Sequence, residues 1–117
     1  MSTPEQVIDE LAGKATPDDL ARLDRPFTDK LSRLEADGRL DADALDRLRL
    51  MWRMLRAPDA VVPWRAKALI MAAVTYLVSP IDVIPDPIGK LGYLDDARVV
   101  RLVWNRIEPA AAVFQRT

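Results

Sequence analysis

Residues 68–78 read Ala-Leu-Ile-Met-Ala-Ala-Val-Thr-Tyr-Leu-Val, with no charge and with apolar side chains at every helical angle. A helix that is apolar all round must be enclosed by protein or by lipid. Pro63 suits a first helical turn, so the spacing predicts a helix over 63–78. At about 1.5 Å per residue such a helix is roughly 24 Å long, short of the ~30 Å hydrocarbon core of a bilayer. Arg65 and Lys67 interrupt it at one end, and Ser79-Pro80 and Asp82 at the other. It is therefore expected at the centre of a helical bundle, with an interfacial or partner-facing position as the alternative.

The rest of the chain supplies amphipathic helices to cover it. Thr3-Pro4-Glu5-Gln6 and Thr16-Pro17-Asp18-Asp19 each place a hydroxyl at the N-cap, proline at the first helical position and a side-chain acceptor at the third, which is the pattern of a capping box. The first predicts a helix over 4–12, stopped by Gly13, with Val7, Ile8 and Leu11 on its apolar face. The second predicts a helix from Pro17 carrying Leu20 and Leu23, broken or restarted at Pro26. A further segment carries Phe27, Leu31 and Leu34 and ends at Asp37-Gly38. Asp41 caps a helix that should reach Arg56 or Ala57, with Leu45, Leu48, Trp52 and Leu55 as its apolar stripe. The last helix should start near Leu94. Ala97, Val100, Trp104 and Ile107 form its stripe, widened by Val99 and Val103, and Pro109 kinks or ends it. No stretch alternates with period two, so no sheet is expected. The expected fold is all-α: a small bundle of five to seven helices around the central helix 63–78. A single domain over 1–117 is expected, with a charged N-terminal layer (1–40) on a core (41–117).

Composition narrows the chemistry. The 117 residues contain no cysteine and no histidine, which removes thiolate and imidazole as nucleophile, base or metal ligand. Any metal would be held by oxygen, which leaves Mg²⁺, Mn²⁺ or Ca²⁺. The formal net charge is −1, so no global field favours nucleic acid. Gly89-Lys90-Leu91-Gly92 has the GxxG spacing of a nucleic-acid clamp, but no sheet accompanies it. The N-terminus lacks a basic-then-apolar leader pattern, and a cytoplasmic location, or one on the cytoplasmic face of the inner membrane, is expected.

Two places stand out as candidate sites. Arg49, Arg53 and Arg56 share one face of their helix and, with Arg65 and Lys67, are candidate contacts for an anionic surface such as lipid headgroups or phosphate; the plainer reading is a solvated face. The second is the joint 76–96, with Asp82, Asp86, Asp95 and Asp96 among prolines and glycines. Each aspartate there suits a helix entry, as in Ser79-Pro80-Ile81-Asp82 and Asp86-Pro87. The alternatives are a divalent-metal site made by Asp82, Asp86, Asp95 and Asp96, or a salt-bridge cluster with Arg65, Lys67 or Arg98.

The run Tyr76-Leu77-Val78-Ser79-Pro80-Ile81-Asp82-Val83-Ile84-Pro85-Asp86, closed by Gly92-Tyr93-Leu94-Asp95-Asp96, resembles the YkvA-like family over about residues 64–103. The resemblance rests on the order Y-L-x-S-P-x-D-x-x-P-D and then G-Y-x-D-D. It implies a small, often bacterial helical domain, often described as membrane-associated, with no established catalytic activity. It marks Tyr76, Ser79, Pro80, Asp82, Pro85, Asp86, Gly92, Tyr93, Asp95 and Asp96 as the motif positions. The chain departs from the family at Pro87 and Gly89, where an aromatic and a proline are usual.

The function expected is a non-enzymatic interaction module at a membrane surface or on a partner protein, with a homodimer as a further form. The alternative is a Mg²⁺- or Mn²⁺-dependent enzyme or metal-binding protein. In it the aspartates hold metal, and Lys90 or Arg98 neutralises a phosphorylated ligand.

Overall fold

A computed structural model describes residues 3–38, 40–78 and 96–117. Five helices are present among them and no strand: α1 (Pro4–Lys14), α2 (Asp19–Asp37), α3 (Ala42–Met54), α4 (Trp64–Val78) and α5 (Asp96–Gln115).

The predicted capping chemistry starts α1. Thr3 Oγ1 accepts from the Gln6 N–H at 3.2 Å, and the Thr3 N–H donates to Gln6 Oε1 at 2.7 Å. Two otherwise orphaned donors are satisfied together. Gly13 does not stop the helix. Its penalty of about 1 kcal/mol relative to alanine is offset by a closing turn of similar worth that ends on Lys14, favoured at the negative end of the dipole and paired with Glu10 at 3.5 Å.

At the second start only half of the box forms. The Thr16 N–H donates to Asp19 Oδ2 at 3.0 Å, but regular helix begins at Asp19, after a turn in which the Asp19 N–H reaches the Thr16 carbonyl at 3.1 Å. Pro26 does not break the helix: α2 runs through it to Gly38, whose φ of 67° makes the left-handed cap. Pro26 and Arg22 are both exposed, so the carbonyl that loses its partner can turn to water. Meanwhile Leu23, Phe27 and Leu34 remain in one buried stripe. Packing of that stripe outweighs the missing hydrogen bond. Pro109, also exposed, is likewise carried inside α5.

Asp41 caps α3 by accepting from the Ala44 N–H at 2.8 Å. The buried face of α3 is broader than the predicted stripe, with Leu50, Met51 and Met54 beside Leu48. In α5 the buried line is Val99, Val100, Val103, Ile107 and Ala111, while Ala97 and Trp104 lie at its edge.

α4 is the axis of the bundle, as its all-round apolar sequence requires. It packs on α1, α2, α3 and α5, and residues 66–74, Tyr76 and Leu77 are buried. The neighbours of α4 are therefore protein side chains. Among the described residues no helix is long and apolar enough to cross a membrane. Buried residues of all five helices join one hydrophobic cluster.

Candidate functional site

Of the motif positions, Tyr76 and Asp96 are described; Ser79, Pro80, Asp82, Pro85, Asp86, Gly92, Tyr93 and Asp95 lie outside the described residues. Tyr76 sits near the end of α4 and is 8% exposed. Burial pushes its hydroxyl pKa above the ordinary value of 10.0, and the negative charge of Asp96 adds to the rise. Asp96 opens α5, where free N–H groups and the positive end of the dipole favour a carboxylate. Its counter-charge comes from elsewhere: Lys30 Nζ of α2 lies 3.4 Å from Asp96 Oδ2. The motif's visible acid is thus tied to the N-terminal layer.

Lys30 was not among the sequence candidates, though a signal existed. Positions 23, 27, 30 and 34 have the four-three-four spacing of a buried helix stripe, and three of them hold Leu23, Phe27 and Leu34. A lysine on such a stripe announces a partner on a neighbouring helix. Among the described residues no group of three or more metal-ligating side chains occurs; Asp82, Asp86 and Asp95 are outside them.

α3 stops at Met54, short of the expected Arg56 or Ala57, so Arg49 and Arg53 lie on the helix and Arg56 in the turn after it. Arg49, Arg53 and Arg56 are all exposed. Arg49 forks between Glu35 of α2 and Asp46 of its own helix, each at 3.2 Å. Arg56 meets Asp24 of α2 at 3.0 Å, donates to the Trp52 carbonyl at 3.2 Å, and lies over the Trp52 ring at 4.7 Å. Arg53 makes no ion pair among the described residues. Trp52 in turn packs on Phe27, with ring centroids 4.4 Å apart. α2 and α3 are thus joined by a ring pair flanked by two guanidinium–carboxylate pairs.

On the other flank Arg47 stacks over Trp104 of α5 at 5.2 Å. Between these flanks runs an open groove of about 730 Å³, lined among others by Asp43, Asp46, Arg49, Trp52, Arg53 and Trp104. Both indoles are half-buried. This pairing of Arg47 with Trp104 needs a helix crossing and was not visible in the linear spacing. Guanidinium forks beside indole rims can hold anionic oxygens and apolar groups together.

The other two predicted cations diverge. Arg65 is exposed in the first turn of α4. Lys67 is 8% exposed. Its ammonium donates to the Ala57 carbonyl and to Asp59 Oδ1, the latter at 2.6 Å. Lys67 therefore fastens α4 to the loop before it and does not share the outward face. Its position on the buried side of an enclosed helix, invisible in a list of basic residues, is the reason.

Comparisons with known proteins cover part of the chain. Residues 66–102 match a family described as a protein of unknown function (DUF1232). Over 65 residues the chain is 42% identical to a protein of Bacillus subtilis (strain 168) named "Uncharacterized membrane protein YkvA"; the match covers 56% of this chain and 59% of that protein. The chain thus spans less than two thirds of that relative's length. No solved structure matches. From α4 to the first turns of α5, the chain is similar to the YkvA-like family, whose function is unknown.

Proposed function

We propose that the protein is a non-enzymatic docking module that presents the outer face of α3 to an anionic membrane surface. The observation that carries this reading is that exposed Arg49 and Arg53 line one groove with the half-buried indoles of Trp52 and Trp104, with Arg56 over the Trp52 ring just past the end of α3. Arginine gains about 1 kcal/mol near an anionic leaflet, and indole is favoured at the headgroup level, where one edge is apolar and the other wet. The Bacillus relative's name contains the words membrane protein, which agrees with this reading. With α4 enclosed by the other helices, contact with lipid is peripheral and reversible. Three arginines supply at most about 3 kcal/mol, and salt weakens that attraction.

Vesicle co-sedimentation tests it. Binding is expected to vesicles of phosphatidylglycerol mixed with phosphatidylcholine at low salt, with little to phosphatidylcholine alone and progressive release as salt rises. Arg53→Gln, which breaks no ion pair among the described residues, should weaken binding about fivefold, the equivalent of about 1 kcal/mol. Absence of binding to the anionic vesicles at low salt would sink the proposal.

A further inference from the structure

Two of the three docking arginines already hold carboxylates from α2. Glu35 occupies Arg49, and Asp24 occupies Arg56. Asp46, one turn before Arg49, takes a second edge of the same guanidinium. Counted with these partners, the row carries three positive and three negative charges and is locally neutral. The pairs are not buried: the side chains of Arg49 and Glu35 are 43% and 46% exposed, and those of Arg56 and Asp24 48% and 58%. Ion pairs this open to water are weak, of the same order as the attraction of one arginine for an anionic surface. Neither partner therefore wins by a wide margin.

We infer that Asp24 and Glu35 are intramolecular competitors for the docking face, restraining its affinity until headgroup phosphates displace them. This rests on the membrane reading above and names its regulation. The competition is structurally cheap. The ring pair of Phe27 and Trp52 and the buried stripe of α2 keep the helices together when the carboxylates let go. Arg56 also keeps its stacking on Trp52 and its bond to the Trp52 carbonyl, so the guanidinium stays in place while its anion changes. Attraction to the surface then depends steeply on lipid charge density, because each phosphate must first replace a carboxylate.

The test compares wild type, Asp24→Asn with Glu35→Gln, and a control of equal net charge, Glu5→Gln with Asp29→Asn, two exposed carboxylates that hold no cation among the described residues. Each protein is titrated with vesicles of phosphatidylglycerol and phosphatidylcholine at low salt. Released arginines should each add about fivefold, corresponding to about 1 kcal/mol per basic side chain, so the paired-carboxylate variant should bind at least tenfold tighter than wild type. The control should change much less. A paired-carboxylate variant that binds as wild type does, or gains no more than the control, overturns the inference and leaves the membrane reading standing. No binding by any of the proteins overturns both. Should the paired-carboxylate variant melt at a lower temperature, Asp24→Asn alone poses the same question at Arg56, which pairs with no second carboxylate among the described residues, with about a fivefold gain expected and no gain overturning it.

Discussion

Lys67→Met separates a structural cation from a surface one. The substitution keeps a stem of similar length in the same apolar surroundings and deletes only the ammonium. Two charge-assisted hydrogen bonds disappear, to the Ala57 carbonyl and to Asp59. They are not equal losses. The Asp59 side chain is 72% exposed, so its carboxylate returns to water and that pair is worth little, at most about 1 kcal/mol. Ala57 is half-buried, and its carbonyl recovers less. A hydrogen bond to a charged group contributes about 1.5–3 kcal/mol. Relief from holding an ammonium at 10% side-chain exposure offsets part of it. The net expected loss is about 1–2 kcal/mol, or roughly 4–8 °C in Tm for a chain of this size. Thermal and urea unfolding monitored by circular dichroism measure it, alongside binding to the anionic vesicles. Stability should fall while vesicle binding stays within about twofold of wild type, since the lost charge is not on the docking face. Unchanged or raised stability would refute the claim that the ammonium fastens the loop. A fivefold loss of binding with Tm preserved would return Lys67 to the surface.

The same geometry sets three further outcomes. Phe27→Ala removes a ring that is 0% exposed and packed on Trp52, and should cost about 3–5 kcal/mol, with a loss under about 1 kcal/mol arguing against its close packing in the core. Asp19 has its carboxyl pKa held below the ordinary 3.8, chiefly by the Thr16 N–H and then by Arg22. Its contribution is present above that value and lost as pH falls through the folded pKa, so Asp19→Asn should flatten the acid limb of a stability–pH curve. Tyr76, with its pKa raised above 10.0 by burial and then by Asp96, contributes stability fully below that value. It is lost as pH rises through the folded pKa, and Tyr76→Phe should flatten the alkaline limb in pH-dependent melting.

Local residue choice was enough to read much of this fold. Thr3 with Gln6, and Asp41 with the Ala44 N–H, are contacts across three residues, so their chemistry is contained in short windows of sequence. The central place of α4 was equally legible, because residues apolar at every angle can be satisfied only by full enclosure. The pair Arg49 and Arg53 could be read too, since positions four apart share a face wherever the helix goes, whereas Arg56 falls in the turn past Met54.

The rest was decided between helices. Pro26 and Pro109 suggest breaks by local rules, yet both helices continue, because the prolines face solvent while the opposite faces are held in the core. Lys30 and Asp96 are distant in sequence and meet only because α2 and α5 both pack beside α4. Lys67 looked like a surface cation until the loop carrying Ala57 and Asp59 was set against it. Arg49 and Arg56 looked free until α2 brought Glu35 and Asp24 alongside. The physical reason is the same in each case. Helix propensity, capping and periodicity act over a few residues and are written in sequence. A charge's partner is fixed by which helix lies next to it, and that depends on packing of the whole bundle.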